Sequence, residues 1–307
     1  ELLDAQIKIL KNEPFEIHPD FSTSGIVDVS EYNDGFGKVK IRARLEKRDK
    51  KTIVIREIAF GTTTESLIAS IESAAQKGKV KIGTINDFTT DEVEIEVELP
   101  RGVYADEVIP QLYAHTDCEV SLTSHMVMIK DRRPVEMGVS EILCYLTDQL
   151  RGLIKAELQH ELGLLTDRKH WLDLERIFIE NRIYKRIEKA KTAKTVVSAV
   201  RKGLEPFVKE LERKVTQEDI DGLLKIPIRR ISQYDIDKNR QDLEATVKAI
   251  KEVRGKLRKL TPTTIAYLEH LLKNYGDNYP RRSEVGSFEA VDVRAVARQN
   301  IRVSYDP

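Results

Sequence analysis

Cysteine is scarce in this chain, which excludes one class of fold. Cys118 and Cys144 are the two cysteines among 307 residues, too few for a small domain held together by a disulfide framework. The chain also lacks a recognisable signal peptide, because its first residues enter directly into a helical pattern. We therefore expect a reducing, cytosolic compartment. The start at Glu1 further predicts a piece of a longer protein.

Long apolar runs and aromatic residues are also rare. No window approaches the roughly 18 apolar residues of a membrane span, so no membrane partner is expected. Aromatic residues make up 6% and charged residues 33% of the chain, a balance that favours long charged helices over a β-sandwich. The 51 basic and 51 acidic residues cancel to a formal charge of zero, which argues against polyanion binding through bulk charge. Any such binding must come from local segregation of charge.

Motifs for nucleotide, metal or covalent chemistry are missing as well. Gly35-Phe36-Gly37 lacks the third glycine of a dinucleotide fingerprint, no Walker A sequence occurs, and His160-Glu161 is not followed by a second histidine at metalloprotease spacing. His115, Cys118 and His125 form the only cluster of ligand-type residues, and single residues of this kind are common in strand-rich regions. We therefore assign no catalytic residue and no metal ligand. A metal-dependent hydrolase stays an alternative that would require stoichiometric metal.

The most regular pattern covers residues 38–45, where basic side chains alternate strictly with apolar or small ones. Such alternation predicts a half-buried strand with one charged face. The residues on that face are Lys38, Lys40, Arg42 and Arg44. Alternate residues on a strand lie roughly 6.6 to 6.8 Å apart, close to the separation of successive phosphates along a nucleic-acid strand, so the row predicts contact with a DNA backbone. The alternative is a strand face that is charged for solubility alone.

A second alternating stretch, residues 92–99, carries four glutamates on one face. If helices at 64–76 and 105–114 cover the apolar side of a single sheet, the acidic and basic rows face the same way. Neighbouring rows would then neutralise each other through cross-strand pairs. Separated rows would instead leave one basic and one acidic edge, and the sequence does not decide the strand order.

Periodicity places the other elements of the first half. Helices are predicted over 1–11 and 64–76, with Thr64 as a plausible N-cap of the second. Further short strands are predicted at 26–29, 52–58, 80–85, 119–123 and 126–130.

From residue 140 onward, the pattern changes to long helices. Leucine and isoleucine recur at three- and four-residue steps over 140–165, which predicts a helix roughly 39 Å long. A run over 235–260 is predicted to return and pair with it as an antiparallel coiled coil. Helices between these arms would form a globular tip; they are predicted at 168–188, 192–201, 203–214 and from Thr216. The predicted fold class is α+β: a mixed β-sheet domain with covering helices, followed by a long antiparallel coiled coil that carries a helical tip.

Short motifs in this chain follow an order known from one protein family. Residues 18–25, His-Pro-Asp-Phe-Ser-Thr-Ser-Gly, resemble the Gly-Pro-Asp-Phe-Pro-Thr-Gly-Gly motif of the A subunits of bacterial type IIA topoisomerases, DNA gyrase and topoisomerase IV. Residues 37–44 resemble the family's Gly-Lys-Val-x-Ile-Arg-Ala-Arg strand. Residues 52–60 are similar to its Ile-x-Glu-Ile-Pro-Tyr segment, and residues 111–116 to its Asn-x-Leu-Tyr-x-x-Thr element.

Departures from the family pattern indicate which branch of the family the chain resembles. Ser22 and Ala59 stand where the family usually has proline, which suggests the topoisomerase IV branch of the family in a divergent bacterial lineage, with gyrase left open. The resemblance implies four regions: an N-terminal helix at 1–17, a tower-like α/β domain at 18–137, coiled-coil arms with a helical exit-gate tip at 138–275, and a return segment at 276–307 that leads to a C-terminal domain.

The resemblance also implies a function. The chain would be part of the DNA breakage-reunion subunit of an ATP-dependent isomerase, and would contribute duplex positioning and a homodimeric exit gate for strand passage. The DNA contacts would come from the basic row, and the gate interface from apolar tip residues: Leu223, Leu224, Ile226, Ile228 and Ile231. An internal core role for those apolar residues is the alternative. In this family the catalytic Arg-Tyr pair and the wedge isoleucine precede the region matched here, so the chain alone is expected to be inactive.

Partners and cofactors follow from the same resemblance. The expected partners are double-stranded DNA, a second copy of the chain and a B-type ATPase subunit, in the bacterial cytoplasm at the nucleoid. No cofactor is expected within the chain, whereas the parent enzyme would use Mg²⁺ and, through the B-type subunit, ATP. A noncatalytic coiled-coil scaffold of a chromosome-organising complex is the competing hypothesis.

Overall fold

The computed structural model describes residues 1–190, 192–227 and 233–288. The chain divides into two compact units, Glu1–Leu146 with Glu269–Pro307 and Thr147–Leu268. The first unit contains the strands and the second is helical. This mixture confirms the α+β class.

The first unit begins with helix α1 and then alternates short strands with two further helices. The bounds of its elements are α1 Leu2–Lys11, β1 Ile26–Asp28, β2 Lys38–Arg42, β3 Arg44–Lys47, β4 Thr52–Glu57, α2 Thr64–Gln76, β5 Thr84–Asp87, β6 Ile95–Glu98, α3 Ala105–His115, β7 Glu119–Thr123, β8 Val127–Lys130, β9 Arg133–Glu136 and β10 Glu284–Val285.

These strands form two four-stranded sheets and one hairpin. The first sheet has the order β10-β1-β2-β7, the second has the order β3-β4-β6-β5, and β8 pairs with β9 alone. The pairs are antiparallel except for β1 with β10, which is parallel. The basic stretch is therefore divided between two sheets.

Ala43 is the residue at which the chain leaves one sheet for the other. Its side chain is fully buried, its N–H donates to the Cys118 carbonyl at 2.8 Å, and its carbonyl accepts from the Tyr113 hydroxyl at 3.1 Å. The register also shifts between Arg44 and Leu45. The prediction of one continuous strand over 38–45 was wrong, because alternation does not show where a chain changes its pairing partner.

Helices α2 and α3 cover the apolar side of the second sheet, which carries the acidic row but not β2 of the basic row. Their buried residues pack with the inward residues of β4 and β6 in one cluster, which includes Ile53, Ile55, Ile95, Val97, Leu67, Ile71, Val108 and Leu112. The N-cap of α2 is Thr63 rather than Thr64. Its hydroxyl accepts from the Ser66 N–H, and its own N–H donates to the Ser66 hydroxyl, which completes a capping box. The strand predicted at 80–85 was wrong, because β5 begins only at Thr84 while Val80 packs in the core outside any strand.

The remaining chain consists of helical elements whose bounds differ from the predicted ones. Their bounds are α4 Val139–Glu180, α5 Ala193–Leu204, α6 Gln217–Leu224, α7 Gln233–Arg258 and α8 Leu260–Tyr275, with short 3₁₀ turns at Ile183–Lys189 and Glu205–Glu210. The separate helix predicted at 168–188 was wrong, since α4 continues for 42 residues to Glu180. The chain then reverses at Arg182, which adopts a left-handed φ of 51°.

Helices α4 and α7 pair as antiparallel arms. Near one end, Ile154 and Leu158 of α4 pack with Val253 of α7, flanked by further leucines of both helices. Near the other end, Asn239 donates to Glu175 at 3.1 Å and Arg240 pairs with Glu180 at 2.7 Å. Later residues of α7 thus meet earlier residues of α4, which confirms the predicted arm pairing.

The helices between the arms form a tip with its own core. Its buried residues include Leu174, Ile177, Phe178, Ile183, Val200, Leu204, Ile220 and Leu223. Thr216 caps α6, and Arg213 donates to both carboxylate oxygens of Asp219 at 2.7 and 3.0 Å. Burial acts to raise the pKa of Asp219, but the hydrogen bonds from Arg213 and Thr216 outweigh it and hold the pKa far below its ordinary value.

Candidate nucleic-acid interface

The predicted basic row begins on the outer face of the first sheet. Val39 and Ile41 of β2 are 5% and 0% exposed, whereas Lys38 is exposed and Lys40 is half-buried on the opposite face. The inward residues pack against Val27 of β1. The face predicted to be charged is therefore the outer one for β2.

Arg42 is held within the protein rather than presented to solvent. Its Nε lies 2.6 Å from a carboxylate oxygen of Glu119 on β7, and the two side chains are only 13% and 20% exposed. Its guanidinium also lies over the rings of Tyr113 and Phe288, at 4.6 and 4.0 Å from their centroids. A guanidinium with a carboxylate and two aromatic faces already in contact has little capacity left for a phosphate.

Arg44 is also committed to carboxylates of its own chain. It pairs with Glu57 of β4 at 3.1 Å and with Glu284 of β10 at 3.1 Å. These hydrogen bonds raise the pKa of Arg44 above its ordinary value. Glu57 accepts a further bond from the Gly25 N–H at 2.8 Å, so Arg44 ties β3, β4 and β10 to the 18–25 motif.

Lys38 and Lys40 are placed differently from the two arginines. Neither makes a salt bridge or side-chain hydrogen bond within the part of the chain that the structure describes. Lys40 lies opposite Asp28 in the β1–β2 register. Burial acts to raise the pKa of Asp28, but hydrogen bonds from Ser30 and the charge of Lys40 contribute to holding it below its ordinary value.

The acidic row lies in the other sheet and has its own partners. Glu96 of β6 pairs with Arg48 at 3.0 Å, and Glu94 pairs with Arg56 of β4 at 3.2 Å. Because β2 and β6 belong to different sheets, the basic row on β2 is not the partner of the acidic row. Glu94 and Glu96 therefore pair with Arg56 and Arg48 and not with Lys38 or Lys40.

The 18–25 motif binds residues 281–283 through hydrogen bonds, a role that the periodicity of the sequence did not predict. The Asp20 carboxylate accepts from the backbone N–H groups of Arg282 and Ser283, at 3.1 and 2.7 Å. The Arg281 guanidinium donates to the Pro19 carbonyl at 2.6 Å. The local signal in the sequence is the Pro19-Asp20 pair in an extended connection, and such a pair does not identify a partner more than 250 residues away.

Comparison with known proteins assigns the family. The family model for the DNA gyrase/topoisomerase IV A subunit matches residues 1–271. The chain belongs to this A-subunit family. Its predicted resemblance is thereby confirmed, and the scaffold alternative is not favoured.

Individual relatives show how much of such a protein this chain represents. It is 39% identical to the A subunit of DNA topoisomerase 4 from Borreliella burgdorferi, over 99% of the chain and 48% of that protein. It is 26% identical to the A subunit of DNA gyrase from Brachyspira hyodysenteriae, over 92% of the chain and 34% of that protein. It is 25% identical to the A subunit of DNA topoisomerase 4 from Staphylococcus epidermidis, over 76% of the chain and 30% of that protein. The chain thus spans about half, or less, of the length of these relatives.

The apolar residues predicted for the gate interface occupy different positions in this A-subunit chain. Leu223 is 1% exposed inside the core of the tip, and Ile226 packs against that core. Leu224 is 38% exposed. Ile228 and Ile231 lie outside the described residues. Leu224 is therefore the described member of the set whose side chain is available to a partner, and its interface role stays a prediction.

The ligand-type residues of the A-subunit chain are dispersed. Burial raises the pKa of the Cys118 thiol to about 12. His125 contacts Glu136 at 3.0 Å on the β8–β9 hairpin, and burial together with Lys79 lowers the pKa of His115. Among residues 1–190, 192–227 and 233–288, no three His, Cys, Asp or Glu side chains come together to hold a metal, and no helix is long and apolar enough to cross a membrane.

Proposed function

We propose that this chain is the part of a type IIA topoisomerase that positions duplex DNA and forms a homodimeric exit gate. The observation that carries the proposal is the family match over residues 1–271, which includes the sheets, both arms and the tip. The antiparallel pairing of α4 and α7 supports it, because the paired arms carry the helical tip between them in sequence.

The DNA contact is assigned to Lys38 and Lys40. Both lie on the outer face of β2, and their cross-strand neighbours on β7 are the uncharged residues Thr123 and Ser121. Two ammonium groups on alternate strand residues, roughly 6.6 to 6.8 Å apart along the backbone, suit adjacent phosphates. Arg42 and Arg44 instead hold the end of the strand in place.

Salt-dependent duplex binding tests this assignment. In fluorescence anisotropy with a short labelled duplex, the double variant Lys38→Gln/Lys40→Gln is expected to reduce the slope of log affinity against log salt by about 2, since two phosphate contacts are removed. The matched control is Lys50→Gln/Lys51→Gln, at two exposed lysines of the β3–β4 turn. Equal effects of the two double variants would contradict a specific role for the β2 lysines.

Self-association tests the exit gate. Leu224→Asp is expected to weaken dimer formation in sedimentation experiments, because a charge replaces an exposed apolar contact. Val208→Asp is the matched control, since Val208 is a second exposed apolar residue of the tip, at 43%. A wild-type chain that stays monomeric at high micromolar concentration would overturn the gate assignment.

Mg²⁺, ATP and a B-type ATPase subunit are proposed for the parent enzyme, in the bacterial cytoplasm at the nucleoid. The described residues offer no cluster that fits a metal ion, so no step is assigned to a metal in this chain. The test is strand passage by the full-length protein, measured as relaxation of supercoiled DNA with each component left out in turn. Relaxation that is unaffected by omitting ATP and the B-type subunit would contradict this part.

A further inference from the structure

A groove lies within the second unit, between α4 and the junction of α7 with α8. It has a volume of about 520 Å³ and is lined by Asp148, Arg151, Gly152 and Lys155 of α4 and by residues 258–262, which include Arg258 and Lys259. We call it the basic groove.

The basic groove concentrates positive charge that has few partners. Its one acid, Asp148, pairs with Arg151 at 3.0 Å. Lys155, Arg258 and Lys259 make no salt bridge or side-chain hydrogen bond within the described chain. Like charges placed together repel one another, and a bound anion relieves that repulsion.

The surrounding sequence strengthens this segregation of charge. Residues 248–259 of α7 and the following turn contain six basic residues and one acid, Glu252, although the whole chain is neutral. This stretch extends over about 16 Å at the helical rise, which is longer than a single phosphate ion. Lys248, Lys251 and Arg258 follow one another at steps of three and seven residues, so they share one face of α7.

One glycine lines the basic groove, and another lies on α7. A side chain added at Gly152, which lines the groove, or at Gly255 on α7 would meet no atom within 4 Å. Glycine inside a helix is less favourable than alanine, and packing does not require it at either position. The space beside Gly152 in the groove is therefore not filled by other residues.

We propose that the basic groove binds the phosphate backbone of duplex DNA, as a second DNA contact separate from Lys38 and Lys40. A line of unpaired cations along a helix matches a phosphodiester chain better than it matches one small anion. The groove consists of residues of the second unit alone, so it can be tested independently of the contact assigned to β2.

The test uses the complete chain with three charges removed. The triple variant Lys155→Gln/Arg258→Gln/Lys259→Gln is expected to weaken binding of a short duplex roughly tenfold at low salt and to reduce the salt slope by about 3. The matched control, Lys194→Gln/Lys202→Gln/Lys209→Gln, removes three exposed lysines elsewhere in the second unit and should leave duplex affinity within twofold.

Melting temperature separates lost binding from lost folding. The triple variant should melt at or above the wild-type temperature at low salt, because repulsion within the groove is reduced. Equal affinities of the triple variant and its control would overturn the proposal. The proposal would also be overturned if inorganic phosphate stabilises the wild type while the triple variant keeps its duplex affinity, since the groove would then bind small anions.

Measuring the groove variant, the β2 variant Lys38→Gln/Lys40→Gln and their combination distinguishes the DNA contact of the groove from that of β2. A duplex affinity that falls with the groove variant but not with the β2 variant would retain the groove and reject the β2 assignment. The reverse result would reject the groove alone. Additive losses would support two separate surfaces.

Discussion

Arg42 gives the sharpest test of how the structure divides a row of basic residues that look equivalent in sequence. Replacing it by alanine removes a charge-assisted bond to Glu119 at 2.6 Å and two contacts with aromatic rings, Tyr113 and Phe288. The bond contributes about 1.5 to 3 kcal/mol and each ring contact about 0.5 to 1 kcal/mol. Since these terms overlap, we expect a loss of about 3 kcal/mol.

Hydrogen exchange resolved by peptide measures that loss locally. A change of about 3 kcal/mol corresponds to roughly a hundredfold faster exchange, and we expect it in the peptides that cover β2 and β7. Peptides of the tip act as an internal control. Lys38→Ala is the matched variant, because an exposed lysine without partners should change stability by less than about 0.5 kcal/mol.

The result that would refute this reasoning is specific. Equal exchange in Arg42→Ala and Lys38→Ala would mean that the contacts of Arg42 add nothing to the stability of the first sheet. Arg42→Lys gives a further check, since it keeps the charge but loses the planar donor group. It should fall between wild type and alanine in stability.

Three further predictions concern other contacts. Asp20→Ala should speed exchange around Ser283 roughly fivefold, a loss of about 1 kcal/mol in backbone hydrogen bonds, as measured by the same exchange experiment. Gly222→Ala should destabilise the tip by about 1 to 3 kcal/mol, because the added carbon would lie 2.7 Å from the Trp171 ring; urea unfolding followed by Trp171 fluorescence measures it. Asp219 has a folded pKa below its unfolded value of 3.8, so the stability that its carboxylate contributes is present above about pH 4 and is lost as the pH falls through the folded pKa. The tip should therefore lose stability when the pH is lowered below about 4, and Asp219→Asn should lose less over the same pH range.

Controls make each of these outcomes decisive. Glu13→Ala, at an exposed carboxylate of the N-terminal segment, should leave exchange around Ser283 unchanged. Gly163→Ala adds a carbon that meets no atom within 4 Å, so it should stabilise the arm by up to about 1 kcal/mol; a loss equal to that of Gly222→Ala would count against the steric argument. An acid dependence in Asp219→Asn as steep as in wild type would count against the role of that carboxylate.

Local pattern predicted much of the fold because local pattern is what periodicity measures. The hairpin β3–β4, helices α2 and α3, and the arms α4 and α7 all follow from apolar residues that repeat at the period of their element. The motif order predicted the family. The bounds failed where tertiary packing overrides local signals, as at Glu180, where α4 ends well beyond the predicted arm.

The candidate site was predictable in composition but not in role. Alternation at 38–45 identifies a charged face, and it treats each basic residue alike. Arg44 meets Glu284, 240 residues later in the chain, and Arg42 meets Glu119 through strand order. No local pattern contains either partner, so sequence alone could not show that both arginines form ion pairs with distant carboxylates.

The sequence by itself determined the class of fold, the paired arms and the A-subunit family, because these depend on repeating apolar positions and ordered motifs. The tertiary structure decided which of the basic side chains form ion pairs. It divides the basic stretch at Ala43, pairs the two arginines with distant carboxylates and leaves Lys38 and Lys40 without an ion pair among the described residues. The physical reason is that an ion pair depends on the distance between two side chains in space. That distance is set by the order of the strands and by the path of the chain, and not by the spacing of the residues in the sequence.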